Sequence, residues 1–307
     1  MHLNKFNRPP LDMVDGIPVF STPDRYVDNY KKIASDHLAS MNPTSDNPFI
    51  ENALWTQLEE STRFFINKYV PNSASILDVG VGLGRVLGPI DRLQRYGIDI
   101  SHDYLRKAKD NGIEVAFSRI EDMPYNDECF DAIVTCDVLE HVIDLHACTK
   151  QILRVLKPGG HLIVRVPYKE DLKVYLQDGL PYEYIHLRNF DEHSIKLFFL
   201  KIHGCNVLEI STTSPYWQGE TRLRYRPPPR EGALRQWFES EEFKGLSIDS
   251  EGQRILQSIT AVSEEDLVAW INRIKQDEPD LFNIVSPYLI VNIEMNVVVQ
   301  KQSQFKG

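Results

Sequence analysis

Cysteine is scarce in this 307-residue chain, with only four scattered residues. Cys129, Cys136, Cys148 and Cys205 form no Cys-x-x-Cys pair and no histidine-spaced cluster. That spacing argues against a disulfide frame or a structural zinc site and for reduced thiols. Basic residues are outnumbered as well: 34 Lys and Arg face 44 Asp and Glu, a formal net charge of −10. Such a balance opposes a general nucleic-acid or membrane-surface binder. Long apolar runs are missing, since even residues 284–299 are broken by Pro287, Asn292 and Glu294. The opening Met-His-Leu-Asn-Lys-Phe-Asn-Arg-Pro-Pro has no apolar signal core. The expectation is a cytoplasmic chain with no membrane span and no nucleic-acid partner.

What the chain does hold is alternation. Residues 1–24 show prolines and little periodicity, which predicts an irregular arm. Apolar residues at helical spacing predict helices over 24–40 and 49–69, separated by an Asn/Pro/Ser-rich break. Short apolar runs then predict strands at 76–79, 95–99, 114–117, 131–136, 161–166 and 205–212. Helical patterns at 85–93, 102–111, 145–156 and 191–203 lie between them, and Lys157-Pro158-Gly159-Gly160 reads as a turn. Repeated strand–helix–strand units imply an α/β fold with a doubly wound, mostly parallel sheet. A last run at 291–299, with no helix after it, adds a seventh strand, readable as antiparallel. The predicted domains are an N-terminal helical extension (1–70), a core (71–213 plus 290–302) and an insertion (214–289). The insertion is far longer than an ordinary connection and carries helical patterns near 234–243, 252–259 and 264–275.

The chemistry gathers at one turn. A short apolar run ends in Asp78-Val79-Gly80-Val81-Gly82-Leu83-Gly84-Arg85. A buried strand leading into glycines makes room for a nucleotide-like ligand, because a residue without Cβ lets the backbone turn tightly and be approached closely. A dinucleotide fold wants Gly-x-Gly-x-x-Gly, and Arg85 stands where its third glycine would fall. Asp99 follows Asp78 by 21 positions at the end of the next strand, where a carboxylate can accept hydrogen bonds from ribose hydroxyls. Further on come Phe130-Asp131-Ala132-Ile133-Val134, Asp137-Val138-Leu139-Glu140-His141-Val142 and Leu156-Lys157-Pro158-Gly159-Gly160.

In this order and spacing the chain resembles the class I S-adenosylmethionine-dependent methyltransferases, with their Rossmann-like fold, over about residues 75–212 and the closing strand. The resemblance implies S-adenosyl-L-methionine as cofactor and S-adenosyl-L-homocysteine as product. It implies that Asp78, Gly80, Gly82 and Gly84 form the cofactor turn, with Asp78 ordering the loop. Asp99 would hold the ribose and Ile100 pack on the adenine. Residues 118–125 match the segment around the adenine, where many members carry Asp and this chain has Arg119; Ile120 or Glu121 would then supply the contact. Cys136 and Asp137 would line the methionine end.

An alcohol acceptor must lose a proton as it attacks, whereas an amine need only be unprotonated. Two histidines sit beyond the carboxyl ends of strands, His141 and His186, and either is a candidate base; His186 reads equally as a loop-fixing residue. Asp137, Glu140 and His141 fall at i, i+3 and i+4. Their pattern is similar to the signature of the ubiquinone-biosynthesis O-methyltransferases, where those positions are associated with a divalent metal; the alternative is pocket lining without metal. Arg222, Arg224 and Arg226 either recognise an anionic acceptor or form one exposed face of an extended segment. Tyr168, Tyr182, Tyr184, Tyr216 and Trp217 either stack on an acceptor or anchor loops. The resulting expectation is methyl transfer to a hydroxyl of a small molecule or glycan, with amine methylation or an inactive cofactor-binding scaffold as the rivals.

Overall fold

The computed structural model describes residues 5–40, 52–217, 264–282 and 290–302, together with 250 and 252. The chain divides into two compact units, Met1–Thr213 with Ile293–Gly307, and Ser214–Asn292. The predicted helix near 234–243, all of the one near 252–259 except residue 252, and the arginines from Arg222 to Arg235 lie outside the described residues.

The first unit is built on a sheet. In chain order its elements are β1 (Asp12–Val14), β2 (Ile17–Val19), α1 (Arg25–Ser40), α2 (Asn52–Tyr69), β3 (Ser75–Val79), β4 (Gln94–Asp99), α3 (His102–Asp110), β5 (Glu114–Phe117), β6 (Phe130–Cys136), α4 (Leu145–Val155), β7 (Leu156–Pro167), α5 (Glu192–Leu197) and β8 (Asn206–Trp217). In the second unit α6 (Glu264–Asp277) buries Trp270 and Ile274, four residues apart on one helical face. The final strand, β9 (Ile290–Gln300), completes the sheet.

Strand order is β1-β2-β5-β4-β3-β6-β7-β9-β8. β5, β4, β3, β6 and β7 run parallel, and β9 pairs antiparallel with β7 from His161↔Gln300 to Pro167↔Glu294. Every residue of β3 is buried, as befits a parallel strand covered on both faces. Its alternation splits the core in two: Leu77 and Val79 join Ile98, Phe130 and Ile133 on one face, while Ile76 joins Leu105, Ile113 and Val134 on the other. From β3 the chain winds outward to β4 and β5; from β6 it winds the opposite way to β7. β3 and β6 are neighbours, so their carboxyl ends open the crevice where such sheets bind ligands.

Four expectations need correction. Within the predicted irregular arm, described from residue 5, there is a hairpin: Asp15 and Gly16, both with positive φ, close it between β1 and β2. Asp-Gly is the strongest short-range signal for such a turn. β2 then joins β5 in parallel at Val19↔Phe117, so among the described residues the sheet has nine strands where seven were expected. No helix forms over 85–93; the segment is a string of turns. Pro89 has no N–H to donate, and Gly84 stands at φ +75°. Finally, residues 157–160 are part of β7: Gly159 N–H donates to Lys301 O at 2.9 Å and Lys301 N–H to Gly160 O at 3.1 Å, which stitches the stretch to the end of β9. Among the described residues no helix is long and apolar enough to cross a membrane.

Candidate functional site

The glycine turn after β3 uses each glycine differently. Gly80 has φ +77°, and a Cβ there would lie 2.3 Å from Val138 Cγ2, so the turn packs directly on the loop after β6. Gly84, at φ +75°, lets Ala108 of α3 approach to 3.0 Å of that imagined Cβ. Gly82, at φ +50°, meets nothing within 4 Å. The open side of the turn is therefore at Gly82, where a ligand can reach the backbone.

Asp99, at the end of β4, faces that turn. Gly82 N–H donates to its Oδ2 at 3.0 Å and Ser101 N–H to its Oδ1 at 2.9 Å. Each carboxylate oxygen keeps a second lone pair, enough to accept from two vicinal hydroxyls. Burial lifts Asp99 to about 6, against the backbone N–H groups of Gly82, Ser101 and Ile100. Beneath it Asp78 is buried, and burial together with the Asp99 charge holds it well above the ordinary carboxylate range. Ile100 is half-buried against the core. In the neighbouring turn Ile120–Asp122, Arg119 claims Glu121 through Nη2 to Oε1 at 3.2 Å and also pairs with Asp24. Glu121 is thus occupied within the chain, and Ile120 packs against the core.

Across the crevice, β6 ends in Cys136 and Asp137, the latter at φ +56°. Asp137 is gripped by the guanidinium of Arg165 on β7, through Nε to Oδ1 at 3.2 Å and Nη2 to Oδ2. Arg165 is 2% exposed, and Thr62 of α2 accepts from its Nη1 at 3.3 Å. Thr62 in turn donates to Asn296 of β9 at 3.0 Å, and Asn296 donates to Ser61. A polar seam from α2 through β9 to β7 therefore holds Asp137. Nothing in the sequence pattern announced it except a lone Arg165 in an apolar strand.

Glu140, His141 and His186 converge: one donor atom of each lies within 4.8 Å of the others. Both Glu140 carboxylate oxygens are buried without a hydrogen-bond partner, and burial, opposed by His186, lifts this carboxyl to about 8. His141 donates Nδ1–H to Ile185 O at 2.9 Å; burial and the adjacent His186 push it down to about 4. His186 places Nδ1 against Glu170 Oε2, whose other oxygen accepts from Tyr175 Oη at 2.8 Å. Burial alone would lower His186, but the Glu170 bond, with Glu140 and Asp137 nearby, raises it above its ordinary value. Glu170 was not singled out in the sequence; an acidic residue in a long loop carries no periodic signal.

The loop bearing His186 is braced by α1. Asn29 accepts the N–H groups of Glu183 and Tyr184 at 2.8 and 3.2 Å and donates to Tyr184 O at 2.8 Å. Tyr26 and Tyr30 lie beside Tyr184 and His141. Tyr184 is thus a half-buried loop anchor whose ring meets Tyr26. Tyr168 donates to Glu192 Oε1 at 2.6 Å and stands outside the His186 cluster. Trp217 ends β8; Arg222 and Arg224 fall outside the described residues. Asp137, paired with Arg165, is not among the side chains whose ligand atoms converge with Glu140 and His141. His186, not Asp137, joins Glu140 and His141.

Residues 77–164 match the family described as methyltransferase domain. They are a class I methyltransferase domain. S-adenosylmethionine is the cofactor of this class, and the residues fit it: an open glycine, a carboxylate bonded beside it and a sheet crevice. The domain is 34% identical over 100 residues to tRNA (carboxymethyluridine(34)-5-O)-methyltransferase of Arabidopsis thaliana, covering 32% of this chain and 25% of that protein. It is 33% identical over 141 residues to mitochondrial ubiquinone biosynthesis O-methyltransferase of Rattus norvegicus, covering 42% of this chain and 40% of that one. These matches span well under half of either relative. In fold, the methyltransferase domain and its surroundings are similar to a chain from the complex of the Haloferax volcanii Trm112 methyltransferase activator with a methyltransferase, at TM-score 0.53 and 14% identity, covering 92% of this chain and 100% of that one.

Proposed function

We propose that this protein transfers a methyl group from S-adenosylmethionine to a hydroxyl of a small molecule or glycan. The observation that carries the reading is the placement of His186 with its Nδ1 on a carboxylate, next to two other titratable groups at the carboxyl end of β6. A hydroxyl needs a proton acceptor as it attacks; an amine does not. Both relatives named above are O-methyltransferases, which supports the same acceptor class.

In this reading the bound cofactor supplies a methyl group already activated on a sulfonium. The chain does the rest. Asp99 and the Gly82 backbone hold the nucleoside end, and Asp78 stiffens the turn. Asp137, fixed by Arg165, shapes the methionine end. His186 takes the acceptor proton. Alignment and exclusion of water account for the remaining rate. To the arginines at 222–235 we assign recognition of an anionic group on the acceptor. A tRNA acceptor, suggested by the first relative, is opposed by the net charge of −10.

The test is transfer of labelled methyl from S-adenosylmethionine to a fractionated metabolite pool, with bulk tRNA in parallel. Labelled product is expected in the metabolite arm as a methyl ether. Label in tRNA, or on nitrogen, would replace the acceptor assignment. Asp99→Ala should lose about 100-fold or more in affinity for S-adenosylhomocysteine, read by calorimetry, with an unchanged circular dichroism spectrum. His186→Ala should lower turnover by roughly 100- to 10,000-fold while that affinity stays within a factor of two.

A further inference from the structure

We infer that Glu170 is the positioning residue of this site: by accepting His186 Nδ1–H it fixes the imidazole so that Nε2 keeps the lone pair that receives the acceptor's proton. The inference rests on the reading of His186 as the base.

The geometry is specific. An ionised carboxylate can only accept, so a proton shared along Nδ1···Oε2 belongs to the ring, and the other nitrogen is left bare. Glu170 and His186 side chains are 10% and 18% exposed, so water competes weakly for the bond. Glu170 is itself aimed. Tyr175 Oη occupies its Oε1 at 2.8 Å, and Tyr175 is brought back by the turn Leu172–Leu176, which Asp171 caps through Lys173 N–H at 3.1 Å. His186 is thus oriented by a group that is oriented in turn, the arrangement that makes a histidine an effective base.

A loop staple is the competing explanation, and the structure limits it. The base of the loop is closed without Glu170's carboxylate: Lys169 N–H donates to Phe190 O at 2.9 Å, and Tyr168 bridges to Phe190. Next to His186, Leu187 N–H donates to Glu140 O at 2.9 Å, and Arg188 donates to Leu139 O at 2.7 Å. α1 grips residues 183 and 184 through Asn29. Removing one carboxylate therefore leaves the loop's path held by several other bonds, and what it takes away is charge and proton placement at His186. The other titratable groups facing His186 are Glu140, His141 and Asp137 at the end of β6 and Tyr175 in its own loop; Tyr30 of α1 faces His141, and the buried Glu294 of β9 lies behind Asp137.

The experiment reads the ring directly. Long-range ¹H–¹⁵N spectra of the full chain, with and without S-adenosylhomocysteine, report the His186 tautomer and pKa, with His186→Gln for assignment. Wild type should show the Nδ1–H tautomer when neutral and a pKa above 6.5. Glu170→Gln keeps an acceptor oxygen but removes the charge, and should lower that pKa by about one unit or more. Its turnover should fall about 10- to 100-fold at an unchanged KM for S-adenosylmethionine, with the alkaline-going limb of the rate profile moved to lower pH. In a His186→Ala background the same substitution should change turnover less than twofold. An Nε2–H tautomer, or a His186 pKa indifferent to Glu170→Gln, overturns the inference. If the ring behaves as stated but His186→Ala leaves methyl transfer intact, the positioning stands and the assignment of His186 as base fails. Glu140→Gln, run alongside, separates the neighbour's field from the Glu170 bond: it should lower the pKa without changing the tautomer.

Discussion

The two banks of the crevice are built differently. The bank to which we assign the cofactor's nucleoside end, here the cofactor bank, is one strand–turn–strand unit: β3, the glycine turn and β4, closed by the Asp99 bonds to Gly82 and Ser101. The opposite bank, to which we assign the acceptor and, at Asp137, the methionine end, is here the acceptor bank and is assembled from afar. Thr62 reaches Arg165 across 103 residues and Asn296 across 234, and His186 meets a carboxylate from 16 residues upstream in its loop. Local construction resists loss of any distant element, whereas the acceptor bank depends on three strands and two helices being in register.

The largest expected effect tests that dependence. Arg165→Leu leaves Asp137 without its guanidinium and Thr62 with one bond fewer, in a buried seam. Arg165 is buried but the Asp137 carboxylate is 39% exposed, so water takes over part of its charge and the loss should be about 3 kcal/mol, the lower end of the cost of breaking a buried pair. Denaturant unfolding should show that loss, and Arg165→Lys should recover only part of it, because an ammonium cannot grip both oxygens at once. A loss below about 1 kcal/mol would mean the seam is not what holds the acceptor bank.

The next effect probes the point where the banks touch. Gly80 combines positive φ with a Cβ position 2.3 Å from Val138 Cγ2. Gly80→Ala should therefore cost about 2–3 kcal/mol, part from backbone strain and part from overpacking. In a chain that also carries Val138→Ala the overpacking share should vanish, leaving about 1 kcal/mol of strain. Strict additivity in that double-mutant cycle would mean the turn does not lean on the loop after β6. Because Asp137 precedes Val138, positive coupling would also explain how damage at Arg165 reaches the cofactor turn.

This contrast explains what could be read from residues alone. Asp78, Gly80, Gly82 and Asp99 were legible because their partners are near in sequence and glycine and aspartate there answer a local backbone need. The parallel strands were legible from apolar runs bounded by turn signals. The β1–β2 hairpin was written in Asp15-Gly16 but hidden by the prolines around it. The missing helix at 85–93 had an apolar pattern, and Pro89 outweighed it. His186 could be picked out by its place after β7, but Glu170, Tyr175 and Asn29 could not. Their roles exist only once α1 and the loop are folded together, and charge in a loop looks alike whether it is solvated or buried. Tyr168 and Tyr184 illustrate the same limit, since both prove to be braced within the chain and only the fold reveals by what.

The smallest effect separates the banks by pH. Glu140 sits at about 8 and Asp99 at about 6, both raised by burial above their ordinary values. A carboxyl raised in the native state keeps a proton that the unfolded chain has already released. Its contribution to stability is complete below the unfolded value and is lost as pH rises through the native one. Glu140→Gln and Asp99→Asn cannot ionise, so each should gain stability relative to wild type as pH rises. For Asp99→Asn the gain should level off above pH 7. For Glu140→Gln it should continue to about pH 9 and amount to about 1–2 kcal/mol in all, less than the full linkage value because relaxation and water entry around the ionised carboxylate recover part of the burial cost. Thermal or urea unfolding between pH 5 and 9 measures both. Equal plateaus would mean that Glu140 has a partner in solution and that the acceptor bank is no drier than the cofactor bank.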